Sequence, residues 1–477
     1  MTDAPPFSAF AASPGSRLAG RDWVVSAALF VAALLVFWYS PVLIDSDSRY
    51  TLLLSESLVT RASFLLDGYG LPHNPPIHYS EAILDGDDYQ IEIVGGHFYY
   101  FFPPGSSILS APFVLAQDAA GKSVVKHGDW NGFRERNNQH FVASFVMAGL
   151  TAIFYLTARL LLPAGWSALI ALAAAFGTQI YSTASRVLWN HTWGTALLGC
   201  VVFLLLASET RRRRLPPVLL ATLLSWSYFV RPTNSVFILS ITVYVLLFHR
   251  AIFLRYAVTG AVWFVGFLVF ARDHYDAWLP PYFRGSRLNT STLGEALAGN
   301  LIAPSRGLLI YVPIALFAVY VPLRYWRHLA HRRLLVLGAV ASAFHYVTVS
   351  CFLPWFGGGC YGPRYTTELV PWLVLATVLG VEAARRRHAE SGLTRSPAGW
   401  RAALAVAGVL LFVSVFVNAR GSLAVATRSW NRYPETVDKA PWRVWDWRYP
   451  QPLAGWIDPP LPDPFPVLTV GQPVFFG

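Results

Sequence analysis

Apolar runs long enough to enter a membrane recur along this chain, and they constrain its fold more than any other feature. A helix needs roughly 17–25 apolar residues to cross the hydrocarbon core, and shorter runs fit as tilted or buried helices. Only 13% of the residues are charged and the mean hydropathy is +0.43, whereas soluble domains carry about 25% charged residues. We therefore predict an all-α polytopic membrane protein with about eleven transmembrane helices, at 23–40, 140–158, 165–181, 191–208, 216–230, 235–249, 256–271, 307–323, 334–350, 366–383 and 402–419.

Basic residues follow every second predicted span, and this alternation sets the predicted topology. Arginine and lysine accumulate in cytoplasmic loops, so the loops that carry these residues and the N-terminus are predicted to lie inside, and the C-terminus outside. The formal charge of +11 is spread over such loops, which indicates a topology signal and no nucleic-acid partner. The clusters are Arg17 and Arg21, Arg159, Arg211–Arg214, His249, Arg250 and Arg255, Arg324, Arg327, Arg332 and Arg333, and Arg385–Arg387.

Three regions follow from this topology. Residues 1–22 form the cytoplasmic N-terminus, residues 23–419 form the transmembrane domain, and residues 420–477 form an outer, periplasmic tail rich in tryptophan and proline. The first outer loop, 41–139, is the longest. Within it the segment 106–119 is apolar but short and contains a proline, which predicts an interfacial or re-entrant helix.

The densest polar cluster, Ile44–Tyr50 (IDSDSRY), opens the first outer loop. If this segment is extended, Asp45 and Asp47 point to one face and can share a proton or hold a divalent cation. If a helix begins near Asp47, the two carboxylates diverge and Asp47 is the N-cap. Asp47, or Asp45, is the candidate general base, whereas Arg49 and Tyr50 are candidate ligands of a phosphate or sugar. The alternative is that both acids are solvated helix-end residues.

Four further clusters at predicted outer ends combine arginine or histidine with glycine, proline or aromatic residues. Glycine lets the backbone approach a ligand closely, and arginine offers a forked donor to phosphate. Each cluster also fits a loop that ends a helix, and arginine at an interface can extend to lipid headgroups. By contrast, His191 and His345 lie within predicted spans and are interpreted as buried side chains with local hydrogen bonds. The candidate substrate-binding residues are His97, Arg231, Arg306, Trp355, Arg364 and Tyr365.

This combination resembles the GT-C glycosyltransferase superfamily, and within it the branch of protein O-mannosyltransferases and aminoarabinose transferases. The stretch 45–50 is similar to the acidic motif that opens the first outer loop of those enzymes. Phe102–Gly105 (FPPG) fits the pattern of their first-loop interfacial helices, and Gly362–Tyr365 (GPRY) looks like a stretch found in bacterial members of the group. Asp-Ser-Asp replaces the adjacent acids common in that branch, which leaves open which aspartate is catalytic.

The resemblance implies an enzyme that moves a sugar, with inversion, from a polyprenyl-phosphate donor to a glycan, lipid or protein acceptor. The active site would face the periplasm from a bacterial inner membrane, among membrane lipids. No cofactor is expected to be required, although Asp45 and Asp47 leave room for a divalent cation. The alternative is a polytopic transporter or a lipid or polysaccharide flippase, a class that tends to place ionisable residues near mid-membrane. Polar residues concentrated at one surface favour the enzyme.

Overall fold

The computed structural model describes residues 18–44, 46–71, 89–211, 214–284, 288–391, 397–457 and 459. Helices dominate this part of the chain. They are α1 (Gly20–Tyr39), α2 (Thr51–Arg61), α3 (Gly105–Ala119), α4 (Gly132–Arg159), α5 (Ala164–Phe176), α6 (Asn190–Arg211), α7 (Pro217–Val230), α8 (Ser235–Phe248), α9 (Arg250–Tyr275), α10 (Leu293–Ile302), α11 (Leu308–Tyr311), α12 (Ala315–Arg324), α13 (Arg332–Ser350), α14 (Val370–Glu390), α15 (Ala398–Leu423) and α16 (Val425–Ser429).

Two short antiparallel hairpins lie in the first outer loop, and the all-α prediction did not include them. In the first hairpin β1 (Ile91–Val94) pairs with β2 (His97–Tyr100), and in the second β3 (Val125–Lys126) pairs with β4 (Asp129–Trp130). The segment 106–119 forms the predicted helix, as α3.

A helix occupies each predicted span. Among the described residues, seven helices are long and apolar enough to cross a membrane: α1, α4, α6, α9, α13, α14 with the turn before it, and α15. The remaining predicted spans correspond to the shorter apolar helices α5, α7, α8 and α12. The structure is that of a multi-pass membrane protein, and the number of complete crossings stays a prediction.

A proline explains why the predicted span 307–323 forms two helices. The helix α11 ends at Tyr311 and α12 begins at Ala315, with Pro313 between them. Proline has no N–H for the helical ladder, and its ring clashes with the preceding turn. Asn418 of α15 donates from Nδ2 to the backbone oxygen of Tyr311 at 2.8 Å. A neighbouring helix therefore satisfies a carbonyl that the break exposes, as the low-polarity surroundings require.

Small residues allow the central helices to approach closely. The helix α4 packs against α1, α5 and α6. A Cβ atom on Gly199 of α6 would lie only 2.2 Å from Cδ1 of Leu150 on α4. Ala143 and Ala148 of α4 are fully buried. Contacts of this kind hold transmembrane helices together by van der Waals packing.

The predicted outer segments pack together at one end of the helices. Within the first outer loop, α2 and the hairpin β1–β2 share a core that includes Tyr50, Leu53 and Tyr100. The tail contributes Trp430 to another core, which also contains Trp355 from the loop after α13. The tail is therefore built into the same outer layer as the loops.

Polar pairs join helices at the opposite end. Arg159 at the end of α4 donates from Nε to Oδ1 of Asp22 on α1, at 2.7 Å. The hydroxyl of Tyr325 after α12 lies 3.2 Å from Nε2 of His388 on α14. The basic clusters Arg159 and Arg385–Arg387 belong to this end. These two contacts agree with the alternation of basic residues, and the full topology and the end that faces outward stay predictions.

Single cysteines at Ser291, Trp442 or Ser391 test the orientation in a background without the three native cysteines. Ser291 and Trp442 are exposed in the outer layer, and Ser391 follows α14 at the opposite end. We expect an impermeant thiol reagent to label the first two sites on intact cells and the third only after permeabilisation. Labelling of the Ser391 site on intact cells would contradict the topology.

Candidate active site

The acidic segment of the first outer loop folds as a tight turn. The backbone N–H of Arg49 donates to the backbone oxygen of Ser46 at 3.0 Å. The helix α2 begins only at Thr51, and its N-cap is Tyr50, which has a left-handed φ of 72°. The alternative in which Asp47 is the N-cap of this helix is therefore wrong. Its carboxylate makes tertiary contacts instead.

Both carboxylate oxygens of Asp47 accept hydrogen bonds. Nη1 of Arg364 donates to Oδ2 at 2.8 Å, and the hydroxyl of Tyr89 donates to Oδ1 at 2.9 Å. The hydroxyl of Tyr100 donates to the backbone oxygen of Asp47 at 2.8 Å, which ties the turn to β2. The side chain of Asp47 is 25% exposed and that of Arg364 is 8% exposed. The ion pair therefore lies where the buried interior meets the solvent.

The backbone before Arg364 depends on a glycine. Gly362 has a left-handed φ of +62°, and a Cβ atom there would lie 2.6 Å from Cδ1 of Tyr311. A side chain at this position would be both strained and blocked. Beyond this glycine, the guanidinium carbon of Arg364 lies 4.5 Å from the ring centroid of Trp189, within the range of a cation–π contact. The backbone conformation at Gly362 and the contact of the guanidinium with Trp189 therefore both restrict the position of Arg364.

A small cavity of about 30 Å³ lies beside the ion pair. Helix α6 begins at Asn190 on its wall, so the positive end of that helix dipole is close to the cavity. The structure brings together here the predicted site residues Asp47, Arg231, Arg364 and Tyr365. The remaining lining residues are Ser48, Phe102, Trp189, His191, Tyr282 and Phe352.

A buried carboxylate, Glu368, contacts Arg231. Nε of Arg231 lies 2.9 Å from Oε1 of Glu368, and Nδ1 of His191 lies 2.9 Å from the same oxygen. Nε2 of His345 lies 3.8 Å from Oε2. These four side chains are almost completely buried. The interpretation of His191 and His345 as buried residues agrees with this arrangement, and His191 also borders the cavity.

A larger cavity of about 280 Å³ contains Arg49 and the tail residue Asp438 in its wall. A gap of about 60 Å³ bordered by both Asp47 and Asp438 adjoins it. Burial raises the pKa of the Asp438 carboxyl, whereas the charges of Arg306 and Arg364 act in the opposite direction. Cavities therefore lie on two sides of the ion pair between Asp47 and Arg364. One is the cavity of about 30 Å³, and the other is the gap of about 60 Å³ that adjoins the cavity of about 280 Å³.

Three predicted site residues lie elsewhere. Tyr50 is fully buried in the outer-loop core, with its ring centroid 4.5 Å from that of Trp130. His97 stands exposed on β2, with Nδ1 3.1 Å from Oδ2 of Asp67. Trp355 is buried in the core that the tail shares with the loops. Within the described part of the chain, none of the three borders a cavity that Asp47 also borders.

Arg306 is buried, and its guanidinium is saturated by protein acceptors. A guanidinium has five N–H donors, so none remains to hold a phosphate. The structure gives this arginine the role of joining the loop after α13 to the tail. Its acceptors are the backbone oxygens of Ser305, Phe356 and Gly358 and the side-chain oxygens of Asn431 and Gln451.

Asp45 lies outside the described residues. The choice between Asp45 and Asp47 as the base, and a divalent cation held by both, therefore stay predictions. Among the described residues, no group of three or more histidine, cysteine, aspartate or glutamate side chains is arranged to hold a metal ion.

Sequence reasoning missed Glu368, Tyr89 and Asp438. Glu368 did carry a signal, because it is an acid at the start of an apolar run and four residues after Arg364. Ionisable residues at such positions are costly unless they are paired. Tyr89 and Asp438 carried no signal, since their places beside Asp47 depend on tertiary contacts alone.

Solved structures of ArnT from Cupriavidus metallidurans are similar in fold to this chain. The structure bound to undecaprenyl phosphate has a TM-score of 0.43 and 14% identity, and the match covers 87% of this chain and 73% of that chain. For the apo structure the values are 0.44, 15%, 87% and 72%. No protein-family model and no curated protein sequence matches.

The substitution Arg306→Lys tests the structural role of this arginine. Lysine offers three donors from one nitrogen and cannot reach all five acceptors. We expect the free energy of unfolding to fall by roughly 2–5 kcal/mol, with an unchanged KM for a lipid-phosphate donor in the folded fraction. Thermal melting of the purified protein and donor kinetics measure the two quantities. A raised KM with unaltered melting would return Arg306 to the phosphate site.

Proposed function

We propose that this protein is a membrane glycosyltransferase of the GT-C type, which moves a sugar from a polyprenyl-phosphate donor to an acceptor hydroxyl at the outer face. One observation carries the proposal. Trp189, Arg231 and Arg364 all line the cavity beside Asp47, and each has a buried N–H without a hydrogen-bond partner among the described residues: Nε1, Nη2 and Nε, respectively. An unmade buried hydrogen bond costs about 1–3 kcal/mol. A phosphate offers acceptor oxygens of the kind these donors lack.

Charge also favours a phosphate. Asp47 pairs with Arg364 and Glu368 pairs with Arg231, and these ion pairs hold both guanidinium groups at the wall of the cavity. When the glycosidic bond breaks, negative charge develops on the leaving phosphate. Two fixed guanidinium groups in a poorly hydrated site stabilise that charge without reorganisation. The same groups would hold the product lipid phosphate until it diffuses away.

The lipid chain of the donor needs an apolar path beside this cavity. A cavity of about 420 Å³ lies between α7, α8 and α9, and its wall is mostly apolar, with Phe229 and Phe264 among the lining residues and a few hydroxyl groups such as that of Ser225. Phe229 is two residues before Arg231 in the chain. A donor phosphate near Arg231 therefore leaves its prenyl chain next to this apolar space.

In the proposed reaction Asp47 acts as the general base. Its carboxylate accepts the proton of the acceptor hydroxyl while the hydroxyl oxygen forms a bond to the anomeric carbon of the donor. The bond between that carbon and the phosphate oxygen breaks, and its electron pair leaves with the polyprenyl phosphate. Attack opposite the leaving group inverts the anomeric centre. The pair with Arg364 fixes the position of the carboxylate, and the larger cavity near Asp438 has room for the acceptor.

The substitution Asp47→Asn tests the base. Asparagine keeps the size of the side chain but cannot accept the proton, so turnover should fall on the order of 100-fold or more. Asp67→Asn is the matched control, because Asp67 is an acid of the same loop that pairs with exposed His97. We expect it to keep full turnover. The assay measures transfer of radiolabelled sugar from a polyprenyl phosphate in membranes with equal amounts of folded protein.

Full turnover by the Asp47→Asn variant would remove Asp47 as the base. Movement of the labelled lipid across the membrane without formation of a new glycosidic bond would favour the alternative of a transporter or flippase.

Arg364→Lys tests the phosphate contact. An ammonium group cannot hold Asp47 and a phosphate in the geometry of the guanidinium fork. Loss of one charge-assisted hydrogen bond should raise the donor KM or lower turnover roughly 10- to 100-fold. Arg443→Lys serves as the control, because Arg443 is a buried arginine whose hydrogen bonds within the described residues all go to backbone oxygens of the tail. It should lower stability and leave the donor KM unchanged. Unaltered donor kinetics in Arg364→Lys would exclude Arg364 from the phosphate site.

A further inference from the structure

Glu368 is a fully buried carboxylate that the proposed chemistry does not use. It belongs to the 3-10 turn Arg364–Leu369, which leads from the ion pair of Arg364 into α14. A charged group in such a place is costly unless its partners compensate it. The contacts of Glu368 therefore indicate what it is for.

The partners of Glu368 come from separate elements. Arg231 follows α7, His191 lies in the first turn of α6, and His345 lies on α13. Arg231 and His191 each approach Oε1 to 2.9 Å. His345 remains farther away, at 3.8 Å, and its Nε2 lies 3.2 Å from the backbone oxygen of Tyr365. Arg231 and His191 are therefore the direct partners of the carboxylate.

The hydrogen-bond pattern indicates which nitrogen of His191 carries the proton. With a proton on Nδ1, His191 donates to the carboxylate of Glu368 and keeps a lone pair on Nε2. Nη1 of Arg231 lies 3.1 Å from that Nε2 and donates to it. This tautomer follows from the network. Glu368 thus holds Arg231 in two ways: by an ion pair at Nε and, through His191, by the hydrogen bond at Nη1.

A glycine makes room for the network. A Cβ atom on Gly194 of α6 would lie 3.2 Å from Nδ2 of Asn234 and 3.6 Å from Oε1 of Glu368. The Asn234 side chain in turn donates to the backbone oxygen of Ser227 at 3.2 Å. The packing of α6 on the turn after α7 therefore leaves Arg231 little freedom to change its side-chain rotamer.

One terminal nitrogen of the Arg231 guanidinium is available to a ligand. Nη2 is buried and has no hydrogen-bond partner among the described residues, and Arg231 lines the cavity beside Asp47. Nε also has no hydrogen-bond partner by geometry among the described residues, but it faces Oε1 of Glu368 at ion-pair distance, so Nη2 is the donor left for a ligand. A phosphate oxygen is an acceptor of suitable charge for it.

We propose that Glu368 is a positioning residue for donor binding: with His191 it fixes the guanidinium of Arg231 so that Nη2 is kept for the phosphate of the lipid donor. This inference rests on the proposed function, and it concerns how the site is built. Glu368 does not touch the phosphate. Its effect passes through Arg231, so the two residues must act as one unit.

Binding measurements on purified protein in lipid nanodiscs test this inference without catalysis. The ligands are undecaprenyl phosphate and, as a competitor without a lipid chain, inorganic phosphate. Glu368→Gln keeps an oxygen that can face both Arg231 and His191 but removes the negative charge that pairs with the guanidinium. We expect the Kd for undecaprenyl phosphate to rise about tenfold or more. Arg231→Lys should have a similar effect.

The matched control is Glu382→Gln. Glu382 is a buried glutamate of α14, the helix that follows the turn of Glu368, and it pairs with Arg386 away from the cavity. It should leave the Kd unchanged. The double variant Glu368→Gln/Arg231→Lys should bind about as weakly as Arg231→Lys alone, because coupled residues are not additive. A purely structural Glu368 would instead lower stability and add its effect to that of Arg231→Lys.

A further variant, His191→Gln, removes only the indirect support and should raise the Kd less than Glu368→Gln does. It keeps the proposal testable if Glu368→Gln does not fold. Inorganic phosphate should compete with the lipid in the native protein and less effectively in Glu368→Gln and His191→Gln, since the shared chemistry is the phosphate.

The outcomes separate the two proposals. Native protein that binds neither ligand would overturn the phosphate site and with it both proposals. Native protein that binds undecaprenyl phosphate while Glu368→Gln and His191→Gln bind it equally well would overturn the positioning role alone. Weakening seen for the lipid but not for inorganic phosphate would place the effect on the prenyl chain and also contradict the role proposed for Glu368.

Discussion

The ion pair between Arg364 and Asp47 connects parts of the chain 317 residues apart, and the candidate site depends on it. It joins the first outer loop to the turn that opens α14, and the stacking of Arg364 on Trp189 adds the start of α6. Such a pair is only partly exposed, so removal of one partner leaves the other poorly compensated. The cavity beside Asp47 exists because these three elements meet there.

Three buried arginines of the outer layer differ in how many of their N–H donors have a protein acceptor. Arg306 meets five protein acceptors and joins loop to tail. Arg231 pairs with a carboxylate and donates to an imidazole, and its Nη2 has no hydrogen-bond acceptor among the described residues. Arg364 holds Asp47 and keeps a buried Nε–H for which the described part of the chain offers no acceptor. Binding capacity therefore follows from unmet hydrogen bonds, since all three residues carry the same charge and lie near the same end of the helices.

Local sequence properties predicted the helices well, because the length and polarity of an apolar run belong to the run itself. They also placed Asp47, Arg231 and Arg364 at the same end of the helices, because alternate loops of a multi-pass membrane protein lie on the same side of the membrane. They did not separate Arg306 from Arg364, because both stand near glycines at outer ends and only the tail's oxygen atoms distinguish them. The turn around Asp47 and its contact with Tyr89 depend on packing between distant segments. The hydrophobic periodicity of the sequence does not predict such contacts.

The account's central claim is that the cavity beside Asp47 binds the phosphate of a lipid-linked donor. An experimental structure determined with a polyprenyl phosphate bound tests it most directly. The account predicts phosphate density within hydrogen-bonding distance of Arg231 Nη2 and of the Arg364 guanidinium, with the prenyl chain leaving toward α7 and α9. Phosphate density at another place in the outer layer, with the cavity beside Asp47 empty, would contradict it.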